Sequence, residues 1–303
     1  MNFHLEKSKN QSLSFPFDSS ITLSIKREDR IDDYVSGNKY RKLKYNLDEA
    51  RKKGFTTLLT YGGAYSNHIA AVAKAGRLFG FKTIGVIRGE ELITKVDQNP
   101  TLSYAKANGM MFDFVTRTDF KFKTTQGFQN KLRAKHGHFY NVPEGGTNEL
   151  AVLGCQEILN EEDAQFDYVC CAVGTGGTIS GLINSAQPHQ KIIGFPALKG
   201  DFLSEDISKF ATSNNWHLNL DYHFGGYGKI NEDLIAFINQ FKIENNVPLD
   251  PIYTGKMMYG IFDLVQKGYF KDQSKILAIH TGGLQGISGM NSVLTKKRMP
   301  LIL

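Results

Sequence analysis

The stretch SGNKYRKLKYNL, residues 36–47, puts a lysine where helix physics disfavours one. A helix running from about Lys39 would place Tyr40, Leu43, Leu47 and Ala50 on one apolar face, with Gly37 and Asn38 as the turn and N-cap before it. Lys39 would then sit in the first turn, at the partially positive end of the helix dipole. Alone, such a lysine reads as a surface residue. A chemical role is the other reading, and four further segments bear on it.

In α/β sheets, ligands bind beyond the carboxyl ends of strands. The run AVGTGGTISGL, residues 172–182, follows one such strand. Gly174, Gly176 and Gly177 let backbone N–H groups close on an anion, and a helix starting near Thr178 adds its dipole. Thr175 and Thr178 add hydroxyls. The run is not GxGxxG, because Ile179 takes the last glycine's place, and not a P-loop, because no lysine follows. A phosphate cradle and a plain tight turn both satisfy it. YGGAYSNHIAAVA repeats the plan: Ser66 is a natural N-cap, and Ser66, Asn67 and His68 open a helix start suited to an anion or simply to capping. PLDPIYTGKMMYG presents Tyr253 and Thr254 before a helix; Tyr253 can stack on a ring, move a proton or fill a core. AIHTGGLQG sets Thr281, Gly282 and Gly283 directly after a strand, as a site or as another turn. Together these offer a phosphate site, a carboxylate-sized anion site, a ring-sized slot and an oddly placed lysine. That set suits pyridoxal phosphate (PLP), whose aldehyde needs a lysine that is most reactive as a neutral amine.

The elements that must position these residues alternate between two periodicities. Strand patterns fall at residues 56–61, over KTIGVIRG, MFDFV and HFYNV, at Tyr168–Val173, and over KIIGFPAL and KILAIH. Helix patterns lie between them: SNHIAAVAKAGRLFG, PTLSYAKANG (opened by Pro100, closed by Gly109), and residues near 125–136, 148–160, 178 onward, 203–212, 231–244 and 255–267. Strands separated by helices imply parallel sheets with right-handed crossovers, hence an α/β fold. So many strands would make one very wide sheet, so two open twisted sheets are expected.

Composition narrows the function classes. The chain has 303 residues and a net charge of +6, and its basic residues cluster near 39–53 and 296–298. Asp48 and Glu49 interrupt the first cluster and no recognition motif accompanies it, so a nucleic-acid partner is not expected; a solvated basic face or an anionic small substrate is. No apolar run is long enough to span a bilayer, and the first residues lack a signal-peptide core, so neither a membrane partner nor export is expected. Cys155, Cys170 and Cys171 form no CxxC pair and no metal pattern, which points to a reduced, cytoplasmic protein without a metal site.

The sequence resembles the fold-type II (tryptophan synthase β-like) PLP enzymes, and within them the 1-aminocyclopropane-1-carboxylate (ACC) deaminase and D-cysteine desulfhydrase group. REDRIDDYVSGNKYRKLKYNL is similar to that group's lysine segment. YGGAYSNHIAAVA, VPEGGTNELAVLG, VGTGGTISGL, DPIYTGKMMYG and IHTGG follow in the group's order, from about residue 25 to 286. The resemblance implies that Lys39, rather than Lys42 or Lys44, bonds to the cofactor. It also implies that Gly174, Thr175, Gly176, Gly177 and Thr178 hold the phosphate and that Asn67 meets the ring's 3-hydroxyl. Ser66, Asn67, His68 and Tyr253 would meet the substrate, with Ser66 also moving a proton. Tyr227, in GGYGKINED, and Tyr253 match active-site tyrosines, while Thr254 and Thr281 would lie near the pyridine nitrogen.

Those threonines bear on the substrate. Deaminase-like members read YEG and HLGG; desulfhydrase-like members read YTG and HTGG, as here. A carboxylate beside the pyridine nitrogen keeps it protonated and makes the ring a strong electron sink; a threonine does so weakly or not at all. D-cysteine carries an α-proton and a thiol leaving group, for which a milder sink suffices, whereas ACC has no α-proton. The implied function is therefore β-elimination on a small amino acid such as D-cysteine, giving pyruvate, ammonia and sulfide. ACC deamination to 2-oxobutanoate and ammonia is the alternative. A non-catalytic PLP-binding regulator and a nucleotide-dependent oxidoreductase are the rivals from other classes. The intact lysine and glycine loop speak against the first. The missing GxGxxG, and the lack of an acidic residue after KIIGFPALKG, speak against the second. The implied architecture is a larger domain of residues 1–42 plus 149–303 and a smaller one of 43–148, in a homodimer.

Overall fold

The computed structural model describes residues 3–303. Its strands are β1 (Asn10–Leu13), β2 (Thr22–Lys26), β3 (Thr57–Gly62), β4 (Lys82–Arg88), β5 (Met110–Val115), β6 (Tyr140–Asn141), β7 (Tyr168–Val173), β8 (Lys191–Pro196), β9 (Trp216–Leu218) and β10 (Lys275–Ile279). They form two sheets, as the alternating pattern predicts. One has the order β5-β4-β3-β6 and is parallel throughout. The other has the order β1-β2-β10-β7-β8-β9 and is parallel except for its first pair. The fold is α/β. Among the described residues no helix is long and apolar enough to cross a membrane.

Seven helices position the site: α1 (Asn38–Lys52), α2 (Asn67–Phe79), α3 (Pro100–Ala107), α4 (Gln126–His136), α5 (Glu149–Gln156), α6 (Gly177–Ser185) and, after α7 (Leu203–Ser208) and α8 (Glu232–Asn245), α9 (Thr254–Gln266). The chain closes with α10 (Gly286–Lys297). Every residue of β7 is buried, as a strand covered by helices on both faces requires. Cys155, Cys170 and Cys171 are all buried and unpaired.

Small residues set how closely α1, α5 and α6 approach. A Cβ at Gly154 of α5 would lie 2.0 Å from the Arg41 carbonyl oxygen of α1, and one at Gly181 of α6 would lie 2.4 Å from Cys155 Cβ. Larger residues there would push the helices apart. Arg41 is buried and forks onto buried Glu28, with Nε to Oε2 at 2.9 Å and Nη2 to Oε1 at 2.8 Å. A buried pair of this kind adds little net stability, but its geometry pins the register of α1 against the segment before it.

α1 starts one residue earlier than its apolar face suggests. Gly37, not Asn38, is the N-cap, at φ +52 and ψ −128, and Asn38 is the first helical residue. The reason is a pair of interlocked turns. A Cβ at Gly37 would lie 2.3 Å from the Thr281 carbonyl oxygen, and one at Gly282 would lie 2.1 Å from Ser36 Oγ. Positive φ and the missing side chain are both required at Gly37. Gly37→Ala is accordingly expected to cost about 2–3 kcal/mol, read as a drop of several degrees in the thermal midpoint. An alanine variant as stable as the parent would contradict the interlock.

Candidate active site

Lys39 lies in the first turn of α1, half-buried, and its Nζ donates to Asn38 Oδ1 at 3.1 Å. The other end of that amide, Asn38 Nδ2, donates to Thr178 Oγ1 of α6 at 2.8 Å. One short side chain thus ties the lysine to the glycine loop. Burial, and then the charge of Lys42, push the Lys39 ammonium down to about 7 from its ordinary 10.5. The disfavoured cation of the opening stretch is about half neutral amine at neutral pH, where an ordinary lysine is almost wholly charged.

The loop beyond β7 has the form of an anion cradle. The N–H groups of residues 174–178 donate to no protein acceptor among the described residues. Gly176 is left-handed at φ +81. A Cβ at Gly174 would lie 3.1 Å from Tyr253 Cε1, so the loop packs tightly against that ring. Thr175 is exposed while Thr178 is buried, and both hydroxyls border the loop. Lys42, one turn after Lys39, is buried, and burial lowers its pKa. Its Nζ donates to Gly145 O at 3.1 Å, Thr147 Oγ1 at 3.1 Å and Thr175 Oγ1 at 3.4 Å. No carboxylate pairs with it among the described residues. A buried cation with only neutral acceptors beside a ring of unpaired N–H groups is a donor set for a multiply charged anion. Asn38, Lys42 and Thr147 are the participants that sequence reasoning missed.

The second anion site is the start of α2. Ser66 caps it, its Oγ accepting from Ile69 N at 3.3 Å, while the N–H groups of Asn67 and His68 have no protein partner among the described residues. Ser66 is therefore a cap as well as a candidate ligand. The His68 side chain turns away from these N–H groups. It is buried, with Nε2 2.8 Å from Thr60 Oγ1 and Nδ1 without a partner among the described residues. Burial and the nearby Lys39 and Lys42 hold it well below its usual pKa, so it is neutral. Here His68 offers a backbone N–H rather than an imidazole. The half-buried Asn67 amide forms no hydrogen bond among the described residues and sits against the turn after β10; a Cβ at Gly283 would lie 2.8 Å from its Nδ2.

α9 delivers the tyrosine and one threonine. Buried Asp250 accepts from the N–H groups of Ile252 and Tyr253 (both 2.9 Å) and Thr254 (2.8 Å), and from Thr254 Oγ1 at 2.7 Å. Thr254 Oγ1 in turn accepts from Asp250 N at 2.9 Å. Its proton is committed, so toward a ring nitrogen Thr254 can only accept. Thr281 is also buried and lies in the interlocked turn. Burial, then neighbouring Tyr227 and Asp250, raise the Tyr253 phenol well above its ordinary pKa, so it stays a proton donor. Tyr227 is 48% exposed and packs edge-on to Tyr253, with ring centroids 6.2 Å apart. Its loop is held by buried Lys256 of α9, whose Nζ donates to His223 O at 2.8 Å and Gly226 O at 2.9 Å.

These contacts link the lysine, both anion sites, both tyrosines and both threonines across the turns that follow β3, β7 and β10. A phosphate-bearing pyridine aldehyde fits this donor set: a cation and unpaired N–H groups for the phosphate, a near-neutral amine for the aldehyde, and an unpartnered amide for a ring hydroxyl.

Comparison with known proteins agrees. A family model described as "Pyridoxal-phosphate dependent enzyme" matches residues 17–282. A putative 1-aminocyclopropane-1-carboxylate deaminase of Pyrococcus horikoshii is 30% identical over 285 residues, covering 86% of this chain and 84% of its own. A D-cysteine desulfhydrase of Klebsiella pneumoniae subsp. pneumoniae is 30% identical over 291 residues, covering 86% of each. Among solved structures, one of an ACC deaminase homologue superposes with a TM-score of 0.78 at 27% identity, over 91% of this chain and 88% of that one.

Proposed function

The chain belongs to the pyridoxal-phosphate dependent enzyme family, and from that premise we propose that it is a lyase that eliminates the β-substituent of small amino acids, with D-cysteine as a substrate. The observation that carries the reading is Lys39: an amine with a pKa of about 7 between the phosphate cradle and the carboxylate site. The cofactor, when bound, supplies an electron sink conjugated to the substrate's α-carbon.

The chain's own groups do the rest. Residues 174–178 and Lys42 take the phosphate; Asn67 takes the 3-hydroxyl. The N–H groups of Asn67 and His68, with Ser66, orient the α-carboxylate and so fix which bond at the α-carbon is broken. Lys39 would hold the aldehyde and, as an amine near neutral pH, would be the base that accepts the α-proton. Tyr253, kept protonated, donates a hydrogen bond to the departing sulfur, which leaves with the bonding pair as hydrosulfide, and Tyr227 stands beside it. Thr254 and Thr281 in place of a carboxylate favour elimination over opening of a ring that has no α-proton. In this reading residues 1–42 and 149–303 form the cofactor-binding unit and 43–148 the unit that carries Ser66–His68. Movement of one toward the other would exclude water. A homodimer, as the family resemblance implies, and a cytoplasmic location, as the cysteine pattern suggests, belong to the same proposal.

The test is the visible absorbance of the purified, PLP-loaded protein before and after D-cysteine, with pyruvate and sulfide assayed in the same tube. A perturbed cofactor band with both products formed is the expected result. A band without D-cysteine turnover, but with 2-oxobutanoate formed from ACC, would replace the elimination reading with deamination, a net hydrolysis of the ring.

A further inference from the structure

One cation at the rim has no part in the chemistry above. Arg88 ends β4, the strand beside β3, and is exposed. Among the described residues its guanidinium makes no ion pair and no hydrogen bond; Glu90, two residues on, does not reach it. It is nevertheless seated. Cζ lies 5.7 Å from the centre of the buried Phe120 ring, a cation–π arrangement. Nη2 lies 3.6 Å from where a Cβ at Gly63 would be. Gly63 opens the turn whose carbonyl receives the Ser66 N–H at 3.1 Å, so the guanidinium rests on the loop that presents Ser66, Asn67 and His68.

The neighbouring charges are already spent. Lys123 shares the Phe120 ring at 4.8 Å, but its Nζ pairs with Glu144 at 3.1 Å. Arg117 pairs with Glu91 at 2.6 Å. Arg88 is left, among the described residues, as an unpaired charge against the glycine turn that leads into Ser66. Its planar fork of N–H donors matches phosphate, sulfonate or sulfate oxygens.

We infer that Arg88 is a specificity residue that recognises an oxyanion on the substrate's β-substituent, so that this lyase takes amino acids whose side chain ends in a phosphate, sulfate or sulfonate. The inference rests on the α-carboxylate binding at Ser66–His68, which places the side chain toward the rim. The chemistry balances without a further reactant. The α-proton goes to Lys39, and the Cβ–O bond of an O-phosphoserine breaks with its electron pair leaving on phosphate. The Cα–Cβ double bond forms, and water hydrolyses the freed enamine to pyruvate and ammonium.

The experiment compares kcat/KM of the holoenzyme for O-phosphoserine and for β-chloroalanine, both enantiomers of each, in the parent, Arg88→Gln and Arg88→Lys. The expected result is turnover of both substrates by the parent. The phosphoserine-to-chloroalanine ratio should fall about 10- to 100-fold in Arg88→Gln, mainly through KM, and less in Arg88→Lys. Matching cofactor absorbance and thermal midpoints establish that the variants fold. An unchanged ratio overturns the inference: equal losses on both substrates would mean that Arg88 serves the α-carboxylate, and no losses that it serves neither. Turnover of chloroalanine without phosphoserine overturns it too, while leaving the lyase reading intact. Turnover of no β-substituted alanine sinks the lyase reading and this inference with it.

Discussion

Lys39→Ala loses turnover by on the order of 10⁴-fold, because it removes both the anchor for the aldehyde and the base at the α-carbon. Borohydride treatment of the parent holoprotein should fix the cofactor on the peptide containing Lys39, and mass spectrometry should find the label there and not on Lys42 or Lys44. The pH dependence is equally specific. Only the neutral amine bonds to an aldehyde, and the Lys39 amine titrates at about 7. The rate at which apo-protein captures PLP should therefore climb through pH 7 and level off above it. At pH 5 it should be roughly a hundredth of its plateau, since the neutral fraction falls tenfold per unit. An ordinary lysine would still be gaining at pH 9. A capture rate that keeps rising beyond pH 9, or a Lys39→Ala protein that turns over normally, would remove Lys39 from the mechanism.

The parts of this site that were legible in the sequence are those built from one stretch of chain. The cradle after β7 and the start of α2 are each strand, glycines, helix in sequence, so residue type and spacing reveal them. β7 itself reads residue for residue, because a strand buried on both faces is an unbroken apolar run. Longer-range features are silent. β1 and β2 carry the mixed runs NQSL and TLSIK, and β2 pairs with β10 about 250 residues later, so neither period nor neighbours mark them. The Gly37 cap has no side-chain signal; its cause is the Thr281 carbonyl across the fold. Sequence does not say which part of His68 faces the anion site: Thr60 on β3 holds its ring, which leaves the backbone N–H, and that contact needs the packed sheet. Lys42 carries no signal of its own in sequence, because its three acceptors lie on residues 145, 147 and 175, more than a hundred positions away.

Lys42 is where the second large effect falls, and it carries opposite signs in the apo- and holoproteins. In the apo-protein Lys42 is a buried cation held by three neutral oxygens, with burial opposing its charge. Removing such a cation relieves its desolvation cost, and its acceptors lie on the partly exposed residues Gly145, Thr147 and Thr175, where water can replace it. Lys42→Met should therefore leave the apo-protein's thermal midpoint unchanged or higher. On the proposed reading, the same side chain would meet the phosphate in the holoprotein as its counter-charge. A hydrogen bond to a charged group contributes about 1.5–3 kcal/mol, so PLP dissociation should tighten in the parent by roughly 10- to 100-fold over the variant. The gain in midpoint on adding PLP should shrink accordingly. Lys42 is also the second cause, after burial, of the low Lys39 pKa. Without it the Lys39 amine holds its proton to a higher pH, and the acid limb of PLP capture moves upward from pH 7. A residue that merely packs would lower both midpoints and leave that limb in place. Lys42→Met with a destabilised apo-protein, unchanged PLP affinity and an unmoved limb would show that the cradle's charge comes from elsewhere.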